Sequence, residues 1–566
     1  MMGPIRRYNT KHLRNAALVG VCAGCLGSAA IAQNDVTSTT GTPPLSLRTD
    51  YFGYAARISS QGTFSDNINL GPSGTEDSEF IASTIISGGA ILSAPRVTGV
   101  IAGDLDFSYL IGESDFNVNQ NVGATSTFSV VEDLFYLDIS GQSSRQLAGD
   151  NAAFARNINS ARDQQVSVNS YSVSPYLFRR FANQSNAELR YRFSQLFVPD
   201  STFFSALDGV ANVERSTAHE IFAGYESGRL AQRFRFRLSA TGVDTTEVTD
   251  DSATEFGFQQ GSILAEGQFV VSDAFSLSGG IGYDEVDTES AAGVFFDDDD
   301  ISGVNWRAGF IATPNQRSNI RLEYGERFGG DFVSASVFYE LSRRLSFRAG
   351  ADRTFQTRSQ TLGVRNRAQG ALALDFADRL REGQELSPSA LISSANQFAR
   401  AVQNRSSQTI GVAVTDSAFA AFSGNYDRTR ITLTGFYDDT DLGFRDIESY
   451  GASLFVDRRL SRRLTGFAGV DWRHTDSSFD IGVCQALPTV FGFDPTDPDF
   501  DAVTSCADAA IASGPTDTVI GRIGARYQFY RNLSAFAEYS HAERFASNPL
   551  QEYSENSLTA GISLDF

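Results

Sequence analysis

The stretch Tyr553–Phe566 reads YSENSLTAGISLDF. Leu558, Ala560, Ile562, Leu564 and Phe566 alternate with Ser557, Thr559, Gly561, Ser563 and Asp565. A period of two puts one set on each face of a β-strand. One face is apolar and the other polar. That suits either the half-buried edge strand of a soluble sheet or a strand standing between lipid and water.

The same pattern runs back through the chain. Phe234, Phe236, Leu238 and Ala240 alternate with Arg233, Arg235, Arg237 and Ser239. Ile320, Leu322 and Tyr324 alternate with Asn319, Arg321 and Glu323, and Leu345, Phe347, Ala349 and Ala351 with Ser346, Arg348, Gly350 and Asp352. Short polar turns are expected at 93–96, 179–184, 228–232, 272–273, 314–317, 342–344, 461–463 and 531–532. Longer acidic connections are expected at 62–78, 285–302, 439–447 and 477–515. Short turns at one end and long loops at the other are the layout of a transmembrane β-barrel. Counting strands from Tyr51 to Phe566 yields about 20–22, and an even number returns both ends of the chain to one side of the membrane.

Composition agrees. The 566 residues include 50 Gly, 45 Phe and 19 Tyr but only 14 Pro. Mean hydropathy is −0.19, as expected when lipid-facing and polar residues alternate. A helical membrane protein needs runs of about 20 apolar residues, and the sole candidate run is N-terminal. There Arg6, Arg7, Lys11 and Arg14 precede an apolar stretch, Ala16–Leu26, and Ala30-Ile31-Ala32 offers a cleavage site before Gln33. Residues 1–32 therefore read as a cleaved signal peptide, and 33–50 as a flexible periplasmic segment too short for a plug domain. A lipoprotein reading of Cys25 meets Cys22 where a Leu is usual. Removing the leader's four cations takes the net charge from −21 to −25. So acidic a chain argues against nucleic acid as a partner.

Outside the leader stand two cysteines, Cys484 and Cys506. In an oxidising compartment an even count predicts a disulfide. It would close the 23 residues from Cys484 to Cys506, a constraint of about 3 kcal/mol in the chain-entropy account. Residues 368–403 have helical composition, split at Pro388, and read as an insertion in an external loop or into the lumen.

An internal repeat marks a meander of hairpins. Leu341-Ser-Arg-Arg-Leu345 with Ala349-Gly-Ala-Asp352 returns 119 residues later as Leu460-Ser-Arg-Arg-Leu464 with Ala468-Gly-Val-Asp471, and more loosely from Phe275. The Ser342-Arg-Arg hairpin, with Thr63-Phe-Ser-Asp-Asn-Ile68 and its acidic continuation to Phe80, Tyr171-Ser-Val-Ser-Pro-Tyr176 and the segment from Val304-Asn-Trp-Arg to Arg327, resembles one family. It is the outer-membrane β-barrel proteins associated with exosortase (PEP-CTERM) and exopolysaccharide gene clusters. The resemblance covers most of the chain beyond the leader; 368–403 and the cysteine loop depart from it. It implies a bacterial outer-membrane location and a polysaccharide-linked context, with no catalytic residue to carry over. The terminal Phe566 likewise resembles the sorting signal read by the barrel-assembly machinery.

Motifs that carry chemistry are few. His219-Glu220 opens a zinc-protease pattern, but residue 223 is Ala where the second histidine belongs. No nucleophile elbow or phosphate loop appears. Asp297–Asp300 and Asp494, Asp497, Asp499 and Asp501 read as calcium ligands or, more simply, as solvated loops. The remaining feature is charge on polar strand faces: Arg233, Arg235, Arg237, Arg321, Glu323, Arg348, Asp352, Asp471, Arg473, Arg522 and Arg526. Such residues either pair across strands and stiffen the wall or guide an anionic solute.

The sequence thus predicts an all-β, single antiparallel transmembrane barrel over 51–566, not an enzyme and without cofactor or metal. Its expected surroundings are outer-membrane lipid, lipopolysaccharide and polysaccharide or export components of the envelope. Its expected function is a porin-like or exopolysaccharide-export-associated channel; the alternative is a non-conducting structural or docking component.

Overall fold

A computed structural model describes residues 51–147, 165–198, 213–228, 233–249, 255–288, 301–315, 317–357, 359–361, 412–443, 445–479 and 514–566. The expected leader, the 33–50 segment, the 368–403 insertion, Cys484, Cys506 and both Asp-rich runs lie outside the described residues.

Among the described residues twenty-two strands follow one another. The first eight are β1 (Tyr51–Ser65), β2 (Glu79–Ala94), β3 (Val97–Leu110), β4 (Asp115–Val131), β5 (Phe135–Leu147), β6 (Gln165–Arg180), β7 (Asn186–Phe197) and β8 (Val213–Glu226). Then come β9 (Phe234–Thr249), β10 (Glu255–Ser272), β11 (Phe275–Thr288), β12 (Gly303–Asn315), β13 (Ser318–Arg327), β14 (Gly330–Ser342) and β15 (Leu345–Thr357). The last seven are β16 (Val412–Tyr426), β17 (Thr429–Asp441), β18 (Arg445–Arg459), β19 (Leu464–Phe479), β20 (Thr516–Gln528), β21 (Leu533–Ala546) and β22 (Tyr553–Asp565). Each pairs antiparallel with its neighbour in sequence, and β1 pairs with β22, from Arg57 opposite Asp565 to Ser65 opposite Ser557. The sheet is therefore a closed barrel with no free edge, the one way a sheet satisfies all its backbone groups in lipid.

Alternation sets the faces. Leu558 and Ile562 are more than half exposed to the surroundings, as are Tyr54, Ile221, Phe234, Ile263, Ile281 and Ile523, all on the outside. Between them, inner-face residues of the closing strands meet as a polar ladder. Arg57 Nε donates to Asp565 at 2.6 Å, Ser59 to Ser563 at 2.9 Å and Ser65 to Glu555 at 2.7 Å, while Thr63 and Thr559 share a hydrogen bond of 3.0 Å. Phe566 extends the ladder by one step, its N–H donating to the Ala56 carbonyl at 2.8 Å. No helix among the described residues is long and apolar enough to cross a membrane; this chain crosses with strands. It is a β-barrel of the outer-membrane type.

Several boundaries differ from those read in the sequence. β1 runs to Ser65 and β11 to Thr288, and the expected 439–447 loop is mostly ladder, because β17 continues to Asp441 and β18 resumes at Arg445. Acidic residues there alternate on a strand that has already risen above the apolar band, so their polarity does not end it. Short turns also close at 132–134 and 427–428, outside those expected from the sequence; each carries an Asp at positive φ (Asp133, 57°; Asp427, 46°), a conformation that Asp tolerates. External connections at 111–114 and 328–329 are as tight as those opposite them.

Candidate functional site: the inner wall

Tyr324 faces outward and Glu323, its neighbour on β13, is buried within. Cross-strand partners share a face, so each charge can be followed around the wall. Arg321 and Glu323 lie inside, opposite Ser336 and Ser334. Arg237 pairs with Glu266 and Arg235 with Gln268. Arg348 pairs with Phe338 and Asp352 with Ser417. Arg522 pairs with Gly469, Arg526 with Thr465, Asp471 with Ser453 and Arg473 with Gly451. All ten occupy the inner face. Arg233 does not: the ladder begins at Phe234, leaving Arg233 exposed in the preceding turn with its carbonyl accepting from the Val270 N–H at 2.8 Å.

The wall then draws together charges that the sequence reading passed over. Glu266 on β10 accepts from Arg307 on β12 at 2.6 Å and from Arg321 on β13 at 2.7 Å. Arg321 also reaches Glu323 at 3.0 Å. Towards the external end, Arg327 grips Asp284 with two hydrogen bonds of 2.9 Å, and Asn305 donates to the same carboxylate at 2.6 Å. A second group lies on β5–β8. Arg190 pairs with Glu188 and Asp138, both at 2.7 Å, and stacks 3.8 Å over the Tyr176 ring, while Arg192 pairs with Glu220 at 2.6 Å. The signal for this group was present in Glu188-Leu-Arg-Tyr-Arg-Phe193, which alternates as plainly as β9. Compensation is uneven. Arg237 keeps its Nε and Nη2 buried without a hydrogen bond, and so does the Nε of Arg235. Arg348 and Arg526 are exposed to the lumen.

His219 and Glu220 point to opposite faces. The histidine meets Tyr191 outside at 2.8 Å and the glutamate meets Arg192 inside, so they share no site. The outer face near the external end carries aromatics tied to polar partners: Trp306 to Glu326 at 3.3 Å, Trp472 to Asp517 at 3.1 Å and Tyr539 to Asn556 at 2.7 Å. Amphipathic rings at that level form the girdle expected at a membrane boundary. Around them the outer face is acidic, with Asp244, Glu285, Asp287, Asp331, Asp439, Glu448 and Asp476.

One part of the external rim is packed with apolar side chains. Phe355 shares the strand face of Phe347 and Ala351, which lower down looks to lipid. Yet it is buried, with its ring 5.5 Å from Phe258 of the β10 inner face and 5.6 Å from Phe328 at the β13–β14 turn. Pairing of β14 with β15 stops at Ala335 and Ala351, which frees the upper ends of β15 and β16 to bend inward over the short hairpin. Gln360 reaches Thr245 on β9 at 2.5 Å. Val213, Phe256, Val286, Ile301, Val412 and Val414 complete the cluster.

No family model matches the chain, and no curated protein matches it. Among solved structures, the ferric enterobactin receptor of Pseudomonas aeruginosa in complex with enterobactin aligns at 11% identity, over 91% of this chain and 81% of that one, with a TM-score of 0.45. The siderophore receptor PirA of Acinetobacter baumannii aligns at 8%, over 90% and 80%, with a TM-score of 0.44. The ferric-catecholate import receptor Fiu of E. coli K12 aligns at 10%, over 90% and 81%, also with a TM-score of 0.44. At that level of similarity no ligand or mechanism transfers to this chain.

Proposed function

We propose that this barrel is an outer-membrane channel, porin-like or associated with exopolysaccharide export, whose inner arginines guide an anionic solute. The observation that carries the reading is the row of inner-face guanidiniums not tied up in hydrogen-bonded ion pairs, buried at Arg235 and Arg237 and exposed to the lumen at Arg348 and Arg526. Fixed charge on a lumen wall filters ions by sign. The residues that resemble exosortase- and exopolysaccharide-associated barrels support a polysaccharide context. The acidic outer face suits divalent cations shared with lipopolysaccharide phosphates, since such cations favour oxygen ligands. Assembly would run through the barrel-assembly machinery, and no catalytic role is assigned.

A second reading, a structural or docking component with a closed lumen, is favoured by the apolar cluster at the external rim. Single-channel recording in planar bilayers separates the two. The channel reading expects discrete conductance steps from the refolded, heat-modifiable barrel. A correctly folded barrel that inserts and passes no current leaves the structural reading.

A further inference from the structure

From β14 to β22 the inner wall carries a run of phenylalanines that its other half lacks in this density. Phe436 lies opposite Phe419, its cross-strand partner. Phe455 packs 6.3 Å from Phe467, and Phe536 sits on β21. Each ring lies against a glycine of the adjoining strand. A Cβ at Gly451 would come within 2.8 Å of Phe436, one at Gly469 within 3.2 Å of Phe455 and one at Gly561 within 3.0 Å of Phe536; Gly350 under Phe419 and Gly524 under Phe467 are closer still. A ring can settle over a strand glycine, because the missing side chain leaves a shallow seat for it. Arginines stand among these rings. Arg522 is 4.7 Å over Phe455, and Arg348 is 5.1 Å over Phe338 on β14. Arg526 faces Phe536 across the β20–β21 pair.

We infer that this aromatic and arginine strip is a track for an anionic oligosaccharide. A pyranose ring has a flat apolar face of C–H bonds that stacks on an aromatic ring, and its carboxylate or sulfate takes a charge-assisted hydrogen bond from a guanidinium. Rings seated on glycines of the wall stay close to it and can stack a passing chain without blocking it. The alternation of ring and cation matches a polymer that offers an apolar face and an anionic substituent in each residue. Neutral sugars use only half of that chemistry. The inference rests on the lumen being a conduit, and it deepens that reading by naming what passes.

Calorimetry on the refolded barrel in detergent tests it, with a tetramer of galacturonic acid as probe and maltotetraose and oligothymidylate as comparators. The acidic sugar is expected to bind, at least tenfold tighter than maltotetraose, and to weaken as salt rises. Phe436→Leu with Phe455→Leu keeps both glycines covered and removes the flat rings; binding should fall at least tenfold while heat-modifiable migration is unchanged. Arg348→Gln with Arg522→Gln should abolish the preference over maltotetraose. Absence of binding in the wild type, unaltered binding in the leucine pair, or tighter binding of oligothymidylate than of the sugar each overturns the assignment. Because calorimetry needs no ion current, a barrel that binds the sugar but does not conduct refutes the channel and leaves the strip as a sugar-binding wall only. One that conducts and does not bind refutes only the track.

Discussion

At the scale of single residues, position on the strand outweighs chemical type. Arg237 and Leu238 are adjacent, yet one faces the lumen beside Glu266 and the other is about half exposed to lipid. Leu238→Arg is expected to cost about 2–4 kcal/mol near the bilayer midplane. Arg237→Ala removes a guanidinium whose Nε and Nη2 make no hydrogen bond and should cost less than half as much. Urea unfolding of the two variants in lipid vesicles checks the contrast, and the reverse order of cost would place the strand the other way round. Phe328 shows the opposite balance. Its φ of 50° is unfavourable for a bulky residue, but the turn puts its buried ring between Arg327, 4.4 Å away, and Phe355. Burial offsets the strain.

Elements add what residues cannot. The β13–β14 hairpin is short because Phe328 and Gly329, both at positive φ (50° and 69°), close it in two residues. Such a turn matches the right-handed twist of the strands it joins. The taller β15 loses β14 above Ala351 but stays paired with β16 as far as Thr357 and Val412, and the two fold across the gap together. The apolar cluster there holds the bend. Phe355→Ala should cost about 3–5 kcal/mol, as expected for emptying a packed phenylalanine site. Hydrogen exchange should at the same time report faster opening at 353–357 and 412–416 than in β1 or β22. A loss under 1 kcal/mol, or protection unchanged at those ends, would mean that the bend is not held by this cluster.

For the molecule as a whole, closure between β1 and β22 turns a row of hairpins into a vessel with a charged interior. Neutralising Arg235, Arg237 and Arg348 together, each to Gln, removes three positive charges from the wall while the arginines bound to Glu266 remain. Reversal potentials across a salt gradient should then shift towards cation selectivity. A conducting triple variant with unchanged selectivity would leave these side chains a structural part only.

Much of this architecture was legible in the chain by itself. Alternation in Leu558–Phe566, in Phe234–Ala240 and in Ile320–Tyr324 announced strands, their two faces and an even count, because the period of two belongs to the local backbone and needs no knowledge of neighbours. The inner arginines were readable for the same reason. Which charges meet was not readable. Glu266 joins Arg307 and Arg321 across three strands, and that depends on the register of each pairing and on the curvature of the wall, both non-local. Register and hairpin height also decided that Phe355, on a lipid-side parity, packs inside the mouth. They decided, too, that Phe436 and Phe455 settle on glycines of the next strand. A strand's own residues state which of its two faces each side chain takes; only the closed sheet decides what that face meets.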